Sequence, residues 1–190
     1  MFQAICRLIF FKWMGWKAVV KVPDFKKCII CVAPHTSNWD FVIAELFYGA
    51  VGRRAGFLMK KELFFFPLSL IWRAFGGIPV DRSRKTSLVD QIIEQAKQSE
   101  YFHLAVTPEA TRKLNPVWKH GFYYMALGAK IPIVLYAVDY RKKTIYGEKV
   151  FYPTGNVEQE VNEIKRYFRN FEGKGKHPEN FTVGEITDEK

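Results

Sequence analysis

The 190-residue sequence predicts an α/β fold with a mostly parallel central sheet and helices on both of its faces. Short runs rich in β-branched and aromatic residues alternate along the chain with longer runs of helical periodicity. The strand-like runs are apolar on both faces, which is typical of a parallel sheet that is covered on both sides. No repeat, low-complexity segment or linker divides the chain, so we expect residues 1–190 to form a single domain.

Six strand-like runs alternate with four helix-like runs. The strands are predicted at 27–33, 55–60, 77–80, 101–107, 131–138 and 144–152. The helices are predicted at 37–50, 86–99, 119–130 and 156–171. Ligand sites of open parallel sheets lie at the carboxyl ends of the strands. Polar side chains that directly follow these runs are therefore the candidates for chemistry.

The chain is strongly basic, with a formal net charge of +10 and a pI of about 9.5. Such an excess favours an acidic partner: nucleic acid, an anionic membrane surface or a phosphorylated small substrate. The aromatic residues cluster in apolar runs such as LFFFP (63–67) and are not interleaved with basic residues. This clustering weighs against a nucleic-acid-binding domain. We therefore expect an anionic membrane surface as a partner, and no nucleic acid.

Two apolar segments indicate where a membrane would be contacted. Residues 1–22 combine aromatic bulk with four basic residues, which interrupt every apolar run before it reaches the roughly 20 residues of a spanning helix. We predict an interfacial, membrane-associating helix there, with a first helix packed on the core as the alternative. Residues 60–77 contain three consecutive phenylalanines. We expect this segment to form an apolar groove or a membrane-facing surface suited to an acyl chain, with a core segment as the alternative.

The three cysteines do not make a secreted disulfide framework, which favours a reducing compartment. Cys28 and Cys31 have C-x-x-C spacing within a strand-like run, but no second pair of ligands accompanies them. We expect buried strand cysteines and no metal site.

The segment PHTSNWDF (34–41) places polar side chains between a strand-like and a helix-like run. Ser37 and Asp40 form a Ser-x-x-Asp pattern that begins a helix at Asn38 and accounts for both residues structurally. This pattern does not account for His35. On one continuous helix His35 and Asp40 would point about 140° apart, whereas a loop position would bring His35 within reach of Asp40. The carboxylate would then orient one ring nitrogen and leave the other as a general base.

Three further blocks follow in order: GGIPVDRS (76–83), VTPEATRK (106–113) and AKIPIVLYAV (129–138). Together with HTSNWD (35–40), they resemble the four sequence blocks of the glycerolipid acyltransferase family, whose members include 1-acyl-glycerol-3-phosphate acyltransferases. All four blocks lie within residues 28–140. The matching positions are His35 and Asp40 in the first block, then Gly77, Asp81 and Arg82, then Pro108, Glu109, Thr111 and Arg112, and finally Ile131, Pro132 and Ile133.

The resemblance implies an O-acyl transfer in which His35 takes the proton of the acceptor hydroxyl and Asp40 holds the imidazole. It also implies that Arg82 and Arg112 clamp an acceptor phosphate through forked hydrogen bonds. Ion pairs of these arginines with Asp81 or Glu109 are the structural alternative.

Four other residues are counted as substrate-binding candidates. Thr111 is expected to orient Arg112 or to touch the acceptor, and Glu109 to brace the loop. Lys60 and Lys61 are candidate phosphate contacts, with a solvated basic turn as the alternative.

Two positions depart from the family pattern. Thr107 stands where the family has Phe, and Ala110 where it has Gly. A glycine at such a turn often supports a positive φ or a close ligand approach. Ala110 therefore implies either an ordinary φ at this turn or a different approach of the substrate.

The resulting hypothesis is an acyltransferase of phospholipid synthesis that moves a fatty acyl group from acyl-CoA or acyl carrier protein to the hydroxyl of a lysolipid, first of all 1-acyl-glycerol-3-phosphate. O-acylation of a lyso-aminolipid is the alternative within this class, and a basic nucleic-acid-binding domain is the alternative outside it. No bound cofactor is expected, because the thioester is a co-substrate. The four histidines lack the paired spacing of a metal hydrolase. We expect a peripheral, monotopic protein on the cytoplasmic side of the membrane.

Overall fold

The structure is a computed structural model that describes residues 1–80 and 87–187. Within them, seven strands form one sheet: β1 (Lys17–Val20), β2 (Lys27–Ala33), β3 (Gly56–Lys60), β4 (Gly77–Val80), β5 (Phe102–Val106), β6 (Ile133–Asp139) and β7 (Thr144–Phe151). The helices are α1 (Phe2–Arg7), which continues as a π-helix over Leu8–Trp13, α2 (Trp39–Ala50), α3 (Leu68–Ala74), α4 (Leu88–Gln98), α5 (Gly121–Ala129) and α6 (Val157–Arg169). Short 3₁₀ turns occupy Lys61–Leu63 and Pro178–Asn180.

The strand order across the sheet is β1-β7-β6-β2-β5-β3-β4. The five strands β6, β2, β5, β3 and β4 run parallel, whereas β7 is antiparallel to β6 and parallel to β1. The predicted α/β class with a mostly parallel sheet is therefore confirmed. The carboxyl ends of the five parallel strands lie on one edge, which we call the carboxyl edge.

Both faces of the sheet are buried, and β2 shows why its sequence is apolar throughout. Alternate side chains of a strand point to opposite faces. Ile29, Cys31 and Ala33 join the core beneath α4, α5 and α6, whereas Cys28, Ile30 and Val32 join the core beneath the π-helix Leu8–Trp13 and α2. Every second residue thus packs against a different helical layer.

The two strand cysteines are buried, as predicted, and they belong to different cores. Burial raises the pKa of Cys28 to about 12 and that of Cys31 well above its ordinary value. Both thiols are therefore protonated at neutral pH, and because they face opposite sides of the sheet they cannot ligate one ion together.

The N-terminal prediction is wrong in its extent. Helical structure ends at Trp13, and after Gly15, which has a φ of +68°, the chain enters β1 at the sheet edge. The β-branched pair Val19 and Val20 favours a strand there, and residues 17–20 pair in parallel with 144–147. The predicted helix over 1–22 therefore holds only for its first half, because pairing with β7 satisfies the backbone groups of the second.

One side of the first helix packs on the core. Cys6 and Phe10 are buried, and a Cβ at Gly49 of α2 would lie 2.7 Å from Cys6 Sγ, so a side chain at Gly49 would prevent this approach. Phe2, Leu8 and Trp13 of the same helical segment are exposed. None of the helices within the described ranges is long and apolar enough to cross a bilayer.

The apolar segment 60–77 contributes little to the core, since α3 contains no buried residue. Six of its large apolar side chains are exposed: Leu63, Phe65, Phe66, Leu70, Ile71 and Phe75. Monomeric proteins rarely leave so many adjacent apolar side chains in water. Of the two alternatives that the sequence left for this segment, the exposed surface agrees with the structure.

Candidate active site

Polar side chains meet at the carboxyl edge of the three central strands. β2 lies between β6 and β5 in the sheet. His35 follows β2, Glu109 and Arg112 follow β5, and Tyr140 follows β6. Neighbouring parallel strands bring these loops together, as the expected position of the site required.

His35 and Asp40 form the pair that their spacing suggested. His35 lies on the loop before α2, and its Nδ1 is 3.2 Å from Asp40 Oδ2. The side chain of His35 is 18% exposed and that of Asp40 is 4% exposed. A proton on Nδ1 that is shared with the carboxylate leaves Nε2 as the basic nitrogen of a neutral imidazole. The geometry is that of an oriented general base; its catalytic role remains a prediction.

The carboxylate of Asp40 is held by three further donors. Its Oδ2 accepts the backbone N–H groups of Thr36 at 2.7 Å and Ser37 at 2.8 Å, and its Oδ1 accepts the hydroxyl of Tyr140 at 2.5 Å. Ser37 Oγ accepts the N–H of Trp39 at 3.2 Å, and Asn38 is the N-cap of α2. Asp40 therefore holds the backbone at the helix start, as the Ser-x-x-Asp pattern predicted. The helix itself begins at Trp39, one residue later than predicted, and its N-cap Asn38 makes no side-chain cap hydrogen bond. Asp40 faces His35 with the same oxygen.

Glu109 holds the backbone of His35. Its Oε1 accepts the N–H of His35 at 2.8 Å, and its side chain is only 2% exposed. Among the described residues, Oε2 has no hydrogen-bond partner, and burial raises the pKa of this carboxyl to about 7. Asn115 Nδ2 donates to the carbonyl of Glu109 at 2.9 Å and fixes the loop from the other side. These contacts agree with the expectation that Glu109 braces the loop.

A cavity of about 560 Å³ opens beside His35. Its polar wall is formed by His35, Asn38, Asp40, Thr107 and Arg112. The rest of the wall is mostly apolar and includes Val32, Phe41, Ala44, Phe57, Leu58, Met59, Trp72, Ala105 and Val106. A smaller space of about 50 Å³, almost wholly apolar, shares five of these residues and reaches inward toward Tyr48 and Tyr136. One charged end and a long apolar wall suit an amphipathic ligand.

The other predicted substrate contacts are placed differently. Arg112 is exposed and lines the cavity. Thr111 Oγ1 accepts the N–H of Lys113 at 3.3 Å and so stabilises the turn. Lys60 ends β3, and Lys61 begins the following 3₁₀ turn with an exposed side chain. Arg82 and its neighbour in the motif, Asp81, lie outside the described residues.

Ala110 has a φ of +54°, in the left-handed region. The expectation of an ordinary φ at this position is therefore wrong: the backbone conformation that suits glycine is kept, although the residue carries a Cβ. Ala110 also lines the cavity, so its methyl group adds to the wall. A non-glycine residue in this conformation carries strain of roughly 1–2 kcal/mol, which the bonds of Glu109 and Asn115 help to offset.

Sequence reasoning missed Tyr140 and Trp72. Tyr140 directly follows β6, so the strand-end rule would have found it. Trp72 lies in α3 between apolar neighbours and lines the cavity. Its Nε1–H is buried and has no hydrogen-bond partner in the described part of the chain. No sequence signal separated this tryptophan from the rest of segment 60–77.

The raised pKa of Glu109 predicts a pH-dependent stability. Between its ordinary value of 4.5 and about 7, the folded protein retains a proton that the unfolded chain has released. This contribution to stability is fully present below about pH 4.5 and is lost as the pH rises through about 7. Glu109→Gln keeps an oxygen for the His35 N–H and has no proton to lose. We expect Tm to depend less on pH in this variant than in the native protein.

The measurement is thermal unfolding between about pH 4.5 and pH 8. Glu163→Gln, on the exposed side of α6, is the matched control and should keep the native pH dependence. The same slope in the native protein and in Glu109→Gln would show that Glu109 does not titrate in this range.

The sequence and the fold are both similar to those of known proteins. Residues 18–138 match the Acyltransferase family. The fold is similar to the crystal structure of the 1-acyl-sn-glycerophosphate (LPA) acyltransferase PlsC from Thermotoga maritima, with a TM-score of 0.57 and 18% sequence identity over 85% of this chain and 74% of that chain. No curated protein matches the sequence. The matched residues make up well over half of the sequence and carry all four blocks, so the resemblance is confirmed: the chain belongs to the Acyltransferase family.

Proposed function

We propose that the protein transfers a fatty acyl group from an acyl thioester to the hydroxyl of a lysolipid, with His35 as the general base. The observation that carries this proposal is the placement of the His35–Asp40 pair at the polar end of a largely apolar cavity. A base beside an apolar wall suits a substrate that joins a hydroxyl to a hydrocarbon chain.

In this reaction the acceptor oxygen attacks the thioester carbon while His35 Nε2 takes the hydroxyl proton. The C–O bond forms, the tetrahedral oxyanion collapses, and the C–S bond breaks. The proton on Nε2 then passes to the leaving thiolate, which departs as a thiol. Asp40 keeps the imidazole in place and offsets the positive charge that the ring carries between the two steps.

Arg112 supports an acceptor with an anionic head group. Arg112 lines the same cavity as His35, and a guanidinium binds phosphate through two parallel hydrogen bonds. We therefore propose 1-acyl-glycerol-3-phosphate as the acceptor, with Arg82 as the second arginine of the clamp. The similar fold of an LPA acyltransferase agrees with this choice.

We further propose that the protein works at an anionic membrane surface on the cytoplasmic side. The exposed Phe65 and Phe66 follow the carboxyl end of β3. Trp13 precedes β1, whose first residue pairs with Thr144 beside the carboxyl end of β6. Both apolar patches therefore lie on the edge where the cavity is, so a lipid could enter directly from the bilayer. The donor, acyl-CoA or acyl carrier protein, would approach from the aqueous side, and no nucleic acid is involved.

His35→Ala should abolish most turnover without unfolding the protein, because loss of a general base costs roughly 10²–10⁴-fold in rate. The assay incubates the purified protein with a panel of lysolipids and both donor types and identifies products by mass. His120→Ala, at the start of α5, is the control and should keep native turnover. If no donor–acceptor pair gives an acylated product with the native protein, the proposed function is wrong. If His35→Ala retains most activity, only the assignment of the base is wrong.

Arg112→Ala should raise the KM for 1-acyl-glycerol-3-phosphate and change the KM for the donor much less. A charge-assisted contact to a phosphate is made in the ground and transition states alike, so kcat is expected to change little. Arg112→Lys restores the charge but not the forked geometry, so rescue should be partial. Arg169→Ala, exposed in the last turn of α6, is the control.

The same variants distinguish the two lipid acceptors. A lyso-aminolipid offers a carboxylate, which needs only one arginine. If it is the natural acceptor, the native protein should prefer it to 1-acyl-glycerol-3-phosphate. Equal losses of kcat/KM for both acceptors in Arg112→Ala would mean that this arginine is structural.

Membrane binding is expected to depend on Trp13 and Phe66, which are 75% and 81% exposed. Replacing either one by Ala should weaken co-sedimentation with vesicles that contain anionic phospholipid, while the free energy of unfolding changes by less than about 0.5 kcal/mol. Tyr152→Ala removes an exposed aromatic ring beyond the end of β7, at the opposite edge of the sheet, and should have no effect. High salt should weaken binding only in part, because it screens charge and not apolar contact. Unchanged binding in both variants would contradict this orientation on the membrane.

A further inference from the structure

The loop that carries His35 is contacted by residues beyond the part of the chain that matches the family. These residues form the segment 171–177, which follows α6. Phe171 is 7% exposed and packs in the core beneath α4, α5 and α6, which anchors the beginning of the segment. From there the segment contacts the His35 loop on one side and Tyr140 on the other.

The contact with the His35 loop depends on a glycine. The N–H of His177 donates to Thr36 Oγ1 at 3.2 Å. A Cβ at Gly175 would lie 2.9 Å from both Cγ2 and Oγ1 of Thr36 and 3.3 Å from Cβ of Pro34. Real Cβ atoms essentially never approach closer than 3.0 Å, so any other residue at 175 would push the segment and the loop apart.

The contact with Tyr140 reaches Asp40. The carbonyl of Lys174 accepts the N–H of Tyr140 at 2.9 Å, while the hydroxyl of Tyr140 donates to Asp40 Oδ1 at 2.5 Å. The other oxygen of Asp40 faces His35 and accepts two backbone N–H groups. The bond to Oδ1 therefore fixes the rotation of the carboxylate plane, and with it the direction in which Oδ2 meets the imidazole.

We propose that Tyr140 and the segment 171–177 position the His35–Asp40 pair for acyl transfer. Tyr140 is the positioning residue for Asp40, and Gly175 permits the close approach that holds Thr36, the residue after His35. Lys176 adds a contact at the helix start, since its Nζ lies 4.8 Å from the ring centroid of Trp39. The inference rests on the proposed function, and it assigns to the C-terminal part of the chain a role in the geometry of the base.

Two single variants test the proposal, each with a matched control. Tyr140→Phe removes only the hydroxyl, and its control is Tyr124→Phe on α5, where the ring is 45% exposed. Gly175→Ala adds only a methyl group, and its control is Gly121→Ala, where a Cβ would meet nothing closer than 4.0 Å. Both test variants should lower kcat by about 10- to 100-fold, because small displacements of a catalytic group have effects of this size. KM for both substrates should stay near its native value. Because an acceptor oxygen is left unpaired in one variant and a close contact is tightened in the other, Tm should fall by a few degrees in both but stay well above the assay temperature. The controls should behave as the native protein.

A double variant shows whether Tyr140 acts through Asp40. In an Asp40→Asn background, Tyr140→Phe should cause no further loss of kcat, since residues that act as a unit are not additive. If the two losses multiply, or if kcat of the single variants stays within about twofold of native, the proposal is overturned. A fall in Tm that accounts for the lost activity would also overturn it.

A measurement without turnover separates this proposal from the proposed function. The ¹⁵N chemical shifts of the His35 ring report its hydrogen bond to Asp40, and those of His120 serve as an internal reference. We expect the His35 signals to move in Tyr140→Phe and in Gly175→Ala, and those of His120 to stay. Unchanged His35 signals would overturn the positioning role even if the native protein is an active acyltransferase. Shifted signals in a protein that acylates no lysolipid would overturn only the proposed reaction.

Discussion

The site depends on the hydrogen bonds that the buried carboxylate of Asp40 accepts. This side chain is 4% exposed, and a buried carboxylate is tolerated only when hydrogen bonds replace the water it has lost. Its partners come from three places: the backbone of the His35 loop, the ring of His35 and the hydroxyl of Tyr140 beyond β6. The helix start, the loop and the end of a neighbouring strand are thereby joined at one side chain.

This arrangement explains why polar side chains lie between a buried strand and the helix that follows it. β2 is apolar on both faces because helices cover both sides of the sheet, so polar groups can collect only where the strand ends. The loop after it has backbone N–H groups that no strand or helix satisfies. Asp40 accepts two of them and Glu109 accepts that of His35. The groups that stabilise the loop are thus the groups that orient the imidazole.

The two carboxyl groups near His35, those of Asp40 and Glu109, differ in their hydrogen bonding. Asp40 has a hydrogen-bond partner on each oxygen, whereas Glu109 has an oxygen without one in the described chain and a pKa raised by burial to about 7. A Glu109 that holds its proton near neutral pH places no second full negative charge beside His35. In the proposed reaction, the charge that offsets the imidazolium then comes from Asp40.

The α/β class, the six strands and four helices that alternate along the chain, and the proximity of His35 to Asp40 could be predicted from the sequence, because strand and helix periodicity and a five-residue spacing are local properties. The family could also be predicted from the sequence, because the four blocks are recognised by their order along the chain and no knowledge of contacts is needed. The sequence did not reveal that residues 17–20 form an edge strand, that Ala110 takes a positive φ, or that Tyr140 and Gly175 meet the His35 loop. Each of these depends on residues far apart in the chain: β1 needs β7 as a partner, and Gly175 needs Thr36 some 140 positions earlier. Such contacts are decided by how the layers pack, and only the tertiary structure contains that information.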